Sequence, residues 1–133
     1  MAQKKAPPLW VYVATDGTAC KIGVAFSPER RVATLQVGNP RRIRLCAMWR
    51  TKHPDIAFCV EQIALRACGR HSCSGEWVSA PPVAVQRLVD WVTRNLGKTQ
   101  VRNPAGMREV QLAMLLERIL AMSGNLIVER FLA

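Results

Sequence analysis

The stretch LWVYVATDGTACKIGVA, residues 9–25, constrains this chain more than any other. Two short runs rich in β-branched and aromatic residues flank Asp16-Gly17, a dipeptide suited to a tight hairpin turn. Residues 9–13 read as a first strand and residues 19–25 as a second. Each carries one polar-tipped residue among apolar neighbours, Tyr12 and Lys21. The segment is either an ordinary hairpin or half of a catalytic site.

The next elements are signalled by caps and periodicity. SPERRVATLQVG predicts a short helix, with Ser27 as N-cap, Pro28 at the first helical position, Glu29 at the positive end of the dipole and Gly38 closing the C-terminus. NPRR is a turn into a third strand over residues 42–50. Strict alternation there would put Ile43, Leu45, Ala47 and Trp49 on one face and Arg42, Arg44 and Arg50 on the other. Residues 54–68 form a helix, with Ile56, Cys59, Val60, Ile63, Ala64 and Ala67 at the helical period. Residues 69–80 read as a loop with a short extended piece at EWV, and PPVAVQRLVDWVTRNLG as a further helix ended by Gly97.

The expected fold is therefore α+β, a small three-stranded antiparallel sheet flanked by helices. It occupies residues 9–96, behind a flexible basic arm at residues 1–8. Residues 97–133 form a linker and a C-terminal helical extension. The Met/Leu stripe of that extension, Met107, Val110, Met114, Leu115, Ile119 and Met122, could cover the domain itself or pair with a second copy as a homodimer.

Charge narrows the class of partner. The 133-residue chain carries a net +10, unevenly spread. Residues 1–52 hold ten Lys/Arg against two acids, and residues 53–133 nine against seven. Such asymmetry suits a polyanion, most simply nucleic acid, with Arg30, Arg41, Arg42, Arg44 and Arg50 as contacts. No apolar run approaches the roughly 18 residues of a membrane span. MAQKKAPP is basic but has no apolar segment behind it, so it does not read as a secretory signal. Five cysteines, an odd number without a CxxC, agree with a cytoplasmic chain of free thiols. CGRHSC, with Cys68, His71 and Cys73, lacks the usual structural zinc spacing, so no zinc is expected.

Taken together, a strand Tyr, KIG, SPERRVATLQVGNP, a helix with an internal Glu and then GEW form an ordered set. This set resembles the GIY-YIG nuclease superfamily, in particular the branch whose second motif is KIG, widespread in phage and bacterial genomes. The resemblance covers roughly residues 9–93. It implies that Tyr12 matches the tyrosine of the first motif, that Lys21 takes the place of the second tyrosine, and that Gly23 is its glycine. It further implies that Arg31 is the catalytic arginine, that Glu61 is the metal-binding glutamate, and that Glu76 lies where many members carry an asparagine. Leu65 stands where this branch often has a histidine, which only His71 could replace.

The chemistry suits these residue types. Phosphodiester hydrolysis gathers negative charge on the phosphoryl oxygens. Mg²⁺ or Mn²⁺ on Glu61, the cofactor that the resemblance implies, would need few protein ligands. Arg31 would grip phosphate with a permanent forked charge. Tyr12, with its pKa lowered by Lys21, Arg31 and the metal, would move a proton. The expected function is a metal-dependent DNA endonuclease. A non-catalytic nucleic-acid-binding module on the same fold and an interaction protein using the C-terminal helix are the alternatives.

Overall fold

A computed structural model describes residues 7–52, 54–68, 72–74 and 76–98. The elements run β1 (Trp10–Thr15), β2 (Cys20–Ala25), α1 (Pro28–Gln36), β3 (Arg44–Arg50), α2 (Pro54–Ala67), β4 (Ser72–Ser74), β5 (Trp77–Val78) and α3 (Pro82–Lys98). The strands form one antiparallel sheet in the order β3-β1-β2-β5-β4. The class is α+β, but the sheet has five strands where three were expected. The two extra strands are only three and two residues long. They hold their place by pairing with β2 and with each other. The linker and helical extension expected over residues 97–133 fall outside the described residues, except that α3 runs through Gly97 to Lys98.

The hairpin forms around Asp16-Gly17. Gly17 has φ +95°, and the Asp16 carboxylate accepts hydrogen bonds from the backbone N–H groups of Thr18 and Ala19. The α1 caps form as the sequence predicts. The Ser27 hydroxyl accepts from the Arg30 N–H, and Gly38 takes φ +77° just beyond the last turn. Gln36 then ties the following loop to β3. Its amide donates to the carbonyls of Asn39 and Arg41 and accepts from the Ile43 N–H at 2.7 Å.

The sheet has two unlike faces. Val11 and Val13 of β1 and Ile22 of β2 enter a large apolar core with Ala57, Val60, Ile63 and Ala64 of α2 and Val85, Leu88, Val89 and Val92 of α3. The opposite face, roofed by α1, has a small cluster of Tyr12, Ala14 and Ile43, with Val32, Leu35, Leu45, Met48 and Trp77 packed around it.

β3 corrects the alternation predicted for it. The register shifts between Val13 and Ala14, so that Val13 pairs with Ala47 and Ala14 with Leu45, leaving Cys46 as an extra residue. This is a β-bulge, and it reverses which side each residue faces. Leu45 joins the small cluster, whereas Cys46 and Trp49 pack on the large core. Arg44 is paired with Thr15 and Arg50 with Trp10, positions on opposite faces of β1. Arg42 precedes the strand. The three arginines therefore do not form one charged face.

Candidate active site

Tyr12 and Gly23 are direct cross-strand partners. The Tyr12 ring is almost wholly buried and lies across Gly23. A methyl group on Gly23 would stand 2.5 Å from Cζ and 2.7 Å from Cε1 of that ring, closer than atoms can pack. The glycine of KIG is thus required by the tyrosine of the preceding strand. Lys21 pairs with Ala14, which places it diagonally from Tyr12 on the same face.

Lys21 is buried and paired. Its ammonium donates to Glu76 Oε2 at 2.6 Å and lies 5.8 Å from the Trp77 ring centroid. Glu76 is brought there by β5, whose Trp77 pairs with Lys21, and by a hydrogen bond from the Ile22 N–H to the Glu76 carbonyl. Glu76 therefore serves the lysine directly. Trp77 packs in the small cluster, the anchoring role of a partly buried aromatic.

Arg31 lies in the first turn of α1. It is exposed to solvent, yet it lies near enough to the Tyr12 hydroxyl to oppose the rise in that group's pKa. Glu61 comes from α2, on the other side of the sheet, and only 6% of it is exposed. Beyond Ile22 the outer edge of β2 has no strand partner among the described residues. The charges of the two faces act on one another. Tyr12 feels both Glu76 and Glu61, and Glu61 feels Glu76 and Lys21.

The electrostatics revise the role of the tyrosine. Burial pushes the Tyr12 pKa up. Arg31 works against that rise, and the negative charges of Glu76 and Glu61 add to it. The expectation of a lowered value does not hold in the protein itself. At neutral pH the group is a neutral phenol with a proton to donate. Glu61 is also raised, first by burial and then by the Glu76 carboxylate, with Gln62 and Lys21 opposing.

Glu61 fits a hard divalent cation. Its carboxylate accepts a hydrogen bond from the Gln62 amide at 3.3 Å, and a second carboxylate is close enough to repel it. Positive charge at this point would relieve both penalties. Among the described residues no three His, Cys, Asp or Glu side chains gather. Mg²⁺ does not require that, because one or two carboxylates with waters and substrate phosphate suffice.

The remaining sequence candidates are dispersed. Arg30 is exposed on α1, and Arg41 lies near the hairpin turn, where its charge adds to the hydrogen bonds from Ala19 and Thr18 that hold the Asp16 pKa down. Arg42, Arg44 and Arg50 are exposed but do not share a face. Leu65 packs against the large core. His71 lies outside the described residues, as does the Cys73 side chain. Among the described residues no disulfide joins Cys20, Cys46, Cys59 or Cys68, and burial pushes Cys68 to about 12 and Cys20 to about 11. Gln62, the hydrogen-bonding neighbour of Glu61, is not singled out by any sequence pattern. Its adjacency to an isolated acid in an apolar helix is the only signal.

No family model, curated protein or solved structure matches the chain.

Proposed function

We propose that the chain is a cytoplasmic, metal-dependent DNA endonuclease of GIY-YIG type. The observation that carries this reading is that Tyr12, Arg31, Glu61 and Glu76 lie close enough for their charges to act on one another, with Lys21 paired to Glu76. These five residues come from five separate segments of the chain. A merely stable α+β domain has no need of a buried acid, a buried lysine and a buried phenol within reach of one another.

Each residue has a defined task in this reading. Arg31, exposed and near the Tyr12 hydroxyl, presents its donors to a phosphodiester. Tyr12 stays neutral and can give its hydroxyl proton to a phosphoryl oxygen or to a water, while Arg31 steadies the oxygen that is left. Lys21 neutralises Glu76, which limits the negative charge facing an incoming phosphate. Glu61 would hold Mg²⁺ or Mn²⁺, which when bound supplies Lewis-acid stabilisation of the phosphoryl group.

A second reading, a non-catalytic nucleic-acid-binding module, is favoured by one feature. Lys21 and Glu76 satisfy each other, so neither is left in need of substrate. The two readings separate on Glu61→Ala. Supercoiled plasmid and single-stranded DNA are incubated with Mg²⁺ or Mn²⁺ and either wild type or the variant. The endonuclease reading expects wild-type cleavage, no cleavage by the variant, and nearly unchanged DNA binding measured with chelator. Equal cleavage by both proteins would reject the assignment of Glu61. Binding without cleavage by wild type would favour the module. In either case affinity should fall with salt at a log–log slope of about −0.9 per phosphate contacted.

A further inference from the structure

Phe26 is an aromatic that the fold leaves uncovered. It is 60% exposed, and it sits between the end of β2 and Ser27, the N-cap of α1. A hydrophobic residue just before an N-cap commonly packs on the fourth helical residue and fixes the entry of the chain. In α1 that fourth residue is Arg31, a charged side chain close enough to act on the Tyr12 hydroxyl. Phe26 therefore has no apolar staple partner. It precedes Arg30 and Arg31 by four and five residues, and Gly23, the partner of Tyr12, lies about 10 Å back along the strand.

An aromatic in cationic surroundings, beside the arginine that the proposed function assigns to phosphate, is suited to a nucleobase. We propose that Phe26 is a stacking platform for an unpaired DNA base next to the phosphate held at Arg31. The inference rests on the endonuclease reading and deepens it, because it names unpaired or locally opened DNA as the favoured substrate. A base inside a duplex keeps its faces covered by its neighbours. Only an unstacked base can offer one to Phe26, so the contribution of this residue is selective for single-stranded substrate. Charge complementarity favours DNA over an apolar protein surface, since no acid other than Glu29 lies between residues 17 and 52.

The test uses the full chain in chelator, with short oligonucleotides of one sequence in single-stranded and duplex form. Phe26→Ala is expected to weaken single-strand binding by about tenfold or more while changing duplex binding little. The salt slope should stay at its wild-type value, because no phosphate contact is removed. Phe26→Leu, which keeps apolar bulk but no ring, should weaken binding similarly, and Phe26→Trp should retain it. Wild-type affinity for single strands in Phe26→Ala or Phe26→Leu would overturn the platform while leaving the endonuclease reading intact. An equal loss on duplex and single strand would also overturn it. Failure of wild type to bind either form would overturn both.

Discussion

The two faces of the sheet differ in what they bury. The face toward α2 and α3 is an apolar core built of Val, Ile, Leu and Ala with the buried thiols Cys20, Cys59 and Cys68. The face toward α1 has a cluster of only three buried apolar residues, one of them a tyrosine whose hydroxyl lies near an exposed arginine, and it also buries Lys21. The thick face is organised for stability. The thin face gives up apolar burial to keep polar groups within reach of solvent and of Glu61, which approaches from the other side. Polar groups held in low dielectric destabilise a fold and are retained where they act.

Truncating the thick face should produce the largest loss of stability. Leu88→Ala should cost about 2–5 kcal/mol, read from denaturant unfolding, with cleavage per folded molecule unchanged. A loss of cleavage out of proportion to unfolding would break the division between the faces.

Gly23→Ala comes next. The added methyl must displace the Tyr12 ring, at a cost of about 1–3 kcal/mol. Here stability and cleavage should fall together, because the ring that packs also carries the hydroxyl of the site. Wild-type cleavage by this variant would show that the position of the ring is immaterial.

The smallest change has the opposite sign. The pKa of Glu61 is raised in the folded protein, so the fold holds this proton more tightly than the unfolded chain does. Its contribution to stability is therefore full below the ordinary carboxylate range and declines as pH rises through the raised value. At neutral pH and without divalent ions, Glu61→Gln should raise Tm by no more than a few degrees. Mg²⁺ should raise the Tm of wild type more than that of the variant. A lower Tm in the variant at neutral pH would contradict the direction of the shift.

Much of this architecture was legible in the sequence, for local reasons. Asp16-Gly17 and the Ser27-Pro28 start of α1 are chemistry that acts over a few residues. Glu61 could be suspected because it interrupts an apolar helix. The bulge at Cys46 was not legible, since no Gly or Pro marks it and only pairing with β1 creates it. β4 and β5 are too short for a period to show, and they exist through their pairing with β2 and with each other. The direction of the Tyr12 shift was missed because neighbouring cations can be inferred from a motif, whereas the depth of burial over Gly23 requires the register. The Lys21–Glu76 pair spans 55 positions and follows only from the placement of β5.

The central claim is that the Tyr12 ring belongs to the core and its hydroxyl to the chemistry. Tyr12→Phe separates the two, because it keeps the ring over Gly23 and removes only the hydroxyl. Cleavage of supercoiled plasmid with Mg²⁺ should fall by at least about 100-fold, as for loss of a proton-transferring group, while Tm stays close to wild type because Arg31 remains solvated. Undiminished cleavage by Tyr12→Phe would contradict the account and leave the hydroxyl as a packing feature of an ordinary hairpin.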